Sequence, residues 1–176
     1  MRRQRAAKLQ LVPKPLVPAR PEPVFAVERF YDVLGDIKPL QNEQWNELGR
    51  DKARVRLDPD WSSFAGLDTS GLLKILTARV DGVLVGYVAN LVSFHLHYKS
   101  TLHATVNAYW LAPAYRKGWT GIKMLRRNED ELRRMGVVRL FVDDSVAFKN
   151  ARDRRTRKLF AFLGYTPTGV VYRKIL

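Results

Sequence analysis

The chain has no cysteine, which removes disulfides and thiolate metal sites and leaves its redox compartment unreadable. It is also short of negative charge, with 17 acidic side chains against 31 lysines and arginines, a formal net charge of +14. A balance of that sign favours polyanionic partners or phosphate-bearing ligands without choosing between them. No apolar run is long enough for a membrane span, and the short apolar patch in Lys8–Val12 does not amount to a signal-peptide core. No internal repeat is visible. At 176 residues, 46% of them apolar, the chain can bury one sizeable core, and two full domains are not expected.

What is present begins with an arm. Residues 1–20, MRRQRAAKLQLVPKPLVPAR, carry six basic side chains and no acidic one, so the remaining +8 lies on the rest of the chain. Pro13, Pro15, Pro18, Pro21 and Pro23 enforce extended backbone and remove amide donors. Residues 1–23 read as a basic, mobile arm, and residues 24–176 as one domain. The arm either docks on nucleic acid or an acidic protein surface, or serves solubility alone.

Beyond the arm, Val24–Phe30 reads as a strand. Asp36–Arg50 has Ile37, Leu40, Trp45 and Leu48 at helical spacing, with Pro39 placed in a first turn. Asp51–Asp68 is either a short helix or a packed loop. Leu72–Val80 and Val83–Leu96 are strands joined at Asp81-Gly82, a pair that accepts the positive φ of a tight hairpin. Val83–Leu91 is apolar at both alternating sets of positions except Asn90, so cover is expected on both faces. Thr101–Leu111 completes an antiparallel meander. Leu125, Leu132 and Met135 then mark a helix over Thr120–Met135, capped by Gly136. Val137–Val142 is a strand reached by a right-handed crossover, Asp153–Leu163 a helix, and Val170–Leu176 a closing strand. The sum is an α/β or α+β arrangement around a mixed sheet.

The stretch WLAPAYRKGWTG, residues 110–121, joins the third meander strand to the helix. Gly118 and Gly121 permit backbone conformations or approaches that a β-carbon prevents. The helix's first-turn amides point back into this loop with the positive end of the dipole, and Arg116, Lys117 and Lys123 add charge. Such a place suits a phosphate or diphosphate; the plainer alternative is a glycine-bearing turn with solvated cations. It is neither a Walker loop, lacking Gly-Lys-Ser/Thr at its end, nor a three-glycine dinucleotide fingerprint.

The order hairpin, strand, basic turn, helix, strand, helix, closing strand resembles the GCN5-related N-acetyltransferase superfamily. In that family a motif of arginine or glutamine, two residues, glycine, one residue, then glycine or alanine holds the acetyl-CoA pyrophosphate by its amides. Arg116 matches the first position and Gly121 the last, whereas Trp119 stands at the middle glycine and Gly118 comes one residue early. Phe160-Ala161-Phe162-Leu163-Gly164-Tyr165-Thr166-Pro167 resembles the family's terminal motif. Arg-Lys-Gly-Trp-Thr-Gly further resembles acetyltransferase-like proteins of tailed phages, some of them virion-associated.

The resemblance implies a mixed, mainly antiparallel sheet flanked by helices on both faces. It implies acetyl-CoA as acyl donor and an unknown amine as acceptor. Tyr109, Trp110 and Leu111 would support the pantetheine arm, and Arg116, Lys117, Gly118, Trp119, Thr120 and Gly121 the phosphates. Trp119 would stack on the cofactor or fill its cleft. Phe160 occupies the position where many members carry a general-acid tyrosine, so Tyr165 or Tyr172 is the substitute donor. Asp143 or His95 is the candidate base, although Asp143 and Asp144 equally suit pairing with Arg152, Arg154, Arg155, Arg157 and Lys158. His95, His97 and His103 lack a diagnostic metal-binding spacing, and no metal is expected. The expected location is the cytoplasm, or a virion. The alternative reading keeps the fold without catalysis or bound acetyl-CoA: an interaction module, such as a phage virion component, whose arm engages protein or nucleic acid.

Overall fold

Apolar residues on both faces of the second meander strand demand cover on both sides. The computed structural model, which describes residues 21–143, 154–169 and 174–175, supplies that cover. Strand β1 (Val24–Glu28) leads into helices α1 (Phe30–Leu48) and α2 (Trp61–Thr69). Strands β2 (Leu73–Val80), β3 (Val83–His95) and β4 (Tyr98–Leu111) follow as the meander. Helix α3 (Thr120–Arg134) crosses over to strand β5 (Val137–Phe141), and helix α4 spans Arg154–Phe162. The sheet order is β1-β2-β3-β4-β5, antiparallel except for the parallel pair β4–β5. The expected mixed, mainly antiparallel sheet is therefore present.

One face is built by Phe30, Val33 and Ile37 of α1 against Ile75, Tyr87 and Trp110. The other is built by Met124 and Leu125 of α3 against Leu76, Val88, Val106 and Tyr109. Each of these large apolar side chains contributes about 1.5–3 kcal/mol on full burial. The α3 face also carries one polar cross-link. Asn90 and Asn128, both buried, exchange amide hydrogen bonds of 2.7 and 3.1 Å. The interruption in the β3 apolar run is thereby satisfied by a partner on the helix.

Several boundaries differ from the sequence reading. Helix α1 starts at Phe30 rather than Asp36, because Phe30, Val33 and Ile37 form one buried stripe at helical spacing. Pro39 then lies in the middle of the helix, where it removes the donor that would bond the Gly35 carbonyl. Strand β4 starts at Tyr98, which pairs with His95 across a two-residue connection, rather than at Thr101. The undecided stretch before β2 contains a true helix. Asp60 caps it, its carboxylate accepting from the Ser63 amide at 3.0 Å and the Ser63 hydroxyl at 2.6 Å. Residues 1–20 of the arm and Tyr172 fall outside the described residues, as does the expected closing strand apart from Lys174 and Ile175, which are not in strand.

Candidate active site

Strand β4 is longer than its partner on one side. Strand β5 pairs with it only from Leu102 to Thr105 and ends at Phe141, whereas β4 continues to Leu111. Among the described residues, β4–β5 pairing stops at Thr105 opposite Phe141. The separation coincides with an irregularity: β3–β4 pairing passes from Ala89 opposite Ala108 to Asn90 opposite Val106, leaving Asn107 as an extra residue. Such a bulge bends the strand and increases its twist, turning its end away from a neighbour. The result is a wedge between β4 and β5 whose β4 side ends in the buried residues Tyr109, Trp110 and Leu111.

The wedge runs toward the loop before α3. After Leu111 the chain makes a short 3₁₀ turn, Pro113–Tyr115, and then reaches Gly118 at φ +89°, in the left-handed region. Trp119 precedes the helix and gives it no side-chain cap. The Lys123 amide donates to the Trp119 carbonyl at 2.8 Å, so the amides of Thr120, Gly121 and Ile122 precede the regular helical ladder. Gly121 has a packing reason to be glycine, since a β-carbon there would lie 2.8 Å from the Tyr109 hydroxyl. Tyr109 is itself buried, and burial pushes its phenol up to about 12, opposed by the nearby Arg116 charge.

The cations of this loop are not equivalent. Arg116 donates through Nε to the Leu111 carbonyl at 2.6 Å and turns its fork onto the Glu47 carboxylate of α1, with Nη2 to Oε2 at 2.6 Å. Its guanidinium also lies 6.0 Å from the Trp110 ring centroid. Lys123 pairs with Glu22 at 2.7 Å. Lys117 and Gly118 are exposed. The last turn of α1 reaches the same strand a second time: the Gln44 amide donates to the Tyr109 carbonyl at 3.2 Å and accepts from the Tyr87 hydroxyl at 2.6 Å. Glu22, Gln44, Glu47 and Asn107 were not singled out from sequence. The helical period placed Gln44 and Glu47 on α1, but nothing local indicated that this turn would meet Tyr109 of β4 and Arg116 of the following loop, 65 and 69 positions away in the chain.

The remaining expected site residues are dispersed. Asp143 follows β5, two residues beyond its end on the side where the strands part. His95 lies at the opposite end of the meander, paired with Tyr98 beside the hairpin connection and far along β4 from Leu111. There its ring lies 5.6 Å from His97 and 5.4 Å from His103. Burial, with the charges of Arg139 and His95, holds His103 below the ordinary imidazole range. Among the described residues, no group of three or more His, Asp or Glu side chains is placed to hold a metal. Phe160 packs edge-on against Tyr165 at 5.2 Å. The Tyr165 hydroxyl is buried beside Glu129 of α3, and burial together with that carboxylate keeps its proton on well above the ordinary phenol range. Trp119 is 61% exposed and packs 6.2 Å from Phe162 of α4, so it does not plug the wedge as a buried ring.

No protein-family model matches this chain, and no curated protein matches it. Its backbone does match solved structures. A GCN5-related N-acetyltransferase from Ralstonia eutropha superposes with TM-score 0.67 at 16% identity, covering 87% of this chain and 98% of the other. A predicted acetyltransferase from Clostridium acetobutylicum, solved with acetyl-CoA, gives 0.65 at 13% identity over 87% and 96%. A ribosomal-protein-alanine N-acetyltransferase from Brucella melitensis gives 0.62 at 18% identity over 88% and 99%. Identities this low carry the backbone and not the chemistry. The chain has the fold of the GCN5-related N-acetyltransferases.

Proposed function

We propose that this protein is an acetyl-CoA-dependent N-acyltransferase. The observation that carries the reading is the wedge: β4 runs on past the end of its pairing with β5, and the chain then turns through the loop 112–119 into the amino terminus of α3. That geometry suits a long ligand with an amide-bearing arm and a diphosphate. The arm would lie along Tyr109–Leu111 as an added strand, and the diphosphate would meet the amides of Gly118–Gly121 and the exposed Lys117. The Arg116 guanidinium, which pairs with Glu47 of α1, would stand beside these amides as a further donor to the diphosphate.

Bound acetyl-CoA supplies a thioester whose acyl carbon accepts the amine nitrogen. The chain's own contributions are position and polarity. A backbone amide of β4 near the bulge at Asn107 would stabilise negative charge on the thioester oxygen. Asp143, two residues past the end of β5, would be the base that takes the proton the amine loses as its bond to carbon forms. Tyr165 would be a poor donor to the departing thiolate, because its surroundings strengthen its hold on the proton. Donation by water is the slower alternative. Isothermal titration with acetyl-CoA tests the reading, and no binding at millimolar cofactor ends it.

The second reading, an interaction module with this fold, is favoured by Phe160, which packs like the tyrosine it replaces but has no proton to give. Nucleic acid or an assembly partner, virion proteins included, would then be met through the basic arm. Strongly salt-dependent binding to random-sequence DNA supports the nucleic-acid form of this reading. Unchanged partner recovery after deletion of residues 1–20 counts against the arm.

A further inference from the structure

Both cations that flank the loop carry a carboxylate from a distant part of the chain. The Arg116 fork holds Glu47, from the last turn of α1, and Lys123 Nζ lies 2.7 and 2.9 Å from the two oxygens of Glu22, just ahead of β1. We propose that Glu47, seconded by Glu22, is an internal counter-anion that occupies the loop's cations and is displaced when a diphosphate enters. The last turn of α1 is thus a latch on the loop. The inference rests on the reading of this loop as a diphosphate site.

The chemistry of exchange is direct. A carboxylate and a phosphate offer the same pair of oxygens to a guanidinium fork, so Arg116 cannot serve both fully at once. The side chains are partly exposed, 36% for Arg116 and 32% for Glu47, and a pair in that setting is weak enough for a multiply charged ligand to outcompete. Meanwhile the Nε bond to the Leu111 carbonyl anchors Arg116 to the end of β4, so the fork stays in place when Glu47 leaves. Gln44 ties the same helical turn to Tyr109, on the strand edge proposed to receive the ligand's arm. Release of the turn and access to that edge are therefore coupled.

The test is calorimetric titration of coenzyme A into the full chain and its variants. Glu47→Gln should tighten binding about three- to fivefold, the scale of a partly exposed ion pair. In an Arg116→Gln background that gain should vanish, because Glu47 acts through the guanidinium. An equal gain in both backgrounds would mean general relief of negative charge and overturns the latch. Should Arg116→Gln not fold, Arg116→Met, which keeps the length of the side chain and loses the charge, makes the same comparison. Amide exchange across residues 44–48 should also rise when coenzyme A is added to the unaltered protein; an unchanged rate counts against the latch. Equal affinity in wild type and Glu47→Gln refutes the latch alone. Folded proteins that all fail to bind coenzyme A refute the diphosphate reading, and the latch with it.

Discussion

Replacing Gly121 by alanine places a methyl group 2.8 Å from the Tyr109 hydroxyl, against an ordinary contact distance of 3.4–4 Å. Relief requires a shift of roughly half an ångström or more. Tyr109 is a rigid ring, only 9% exposed, on the strand beneath α3, so helix and strand must move apart or the ring must leave its position. Overpacking of this kind costs about 1–3 kcal/mol. Helix propensity acts in the opposite direction, favouring alanine over glycine by up to about 1 kcal/mol. The net expectation is a loss of about 1–2 kcal/mol, read as a fall in Tm of ~2–4 °C per kcal/mol for a chain of this size. The background decides the cause. In Tyr109→Phe the obstructing oxygen is gone, and Gly121→Ala should become neutral or stabilising. Urea denaturation of the four proteins closes the cycle. The same loss in both backgrounds would show that the tyrosine is not what excludes a side chain from position 121, and the packing account of this glycine would fall.

Three further outcomes are expected. Asn128→Leu leaves the Asn90 amide buried without its helix partner and should cost about 1–3 kcal/mol in urea denaturation; Asn90→Leu added to it should restore part of the loss rather than double it. Glu28 is held below its ordinary value of 4.5, chiefly by hydrogen bonds from Arg79. Its contribution is therefore present above about pH 4.5 and lost as pH falls through the depressed folded-state value, and Arg79→Gln should flatten that part of the stability–pH curve. Trp119→Phe should leave the thermal midpoint nearly unchanged, because the ring is 61% exposed, but should remove most of any tryptophan fluorescence change produced by coenzyme A. A full signal in that variant would separate the ligand from this loop.

The meander was legible because its signals are local. Short apolar runs rich in β-branched residues mark the strands, and Asp81-Gly82 turns the chain with φ values of 49° and 81°. The loop before α3 was legible for a similar reason, since glycine, cations and the onset of helical spacing sit within a dozen residues. The start of α1 was misread because Phe30, a good strand residue, is also the first member of a buried helical stripe, and packing against the sheet decided between the two. His95 shows the opposite limitation. Its residue type suits a base, but its place beside the hairpin connection depends on the register of β3 against β4, which a shift of few residues would alter.

By itself the sequence determined what short-range physics can determine: a meander, a crossover helix, and a cationic, glycine-bearing turn at a helix start. Only the tertiary structure decided how β4 and β5 separate beyond Thr105, and that Gln44 of α1 reaches Tyr109 of β4 while Glu47 reaches Arg116 of the following loop. Both outcomes depend on pairings between residues far apart in the chain. Their geometry is fixed by how whole elements pack, and no local propensity encodes it.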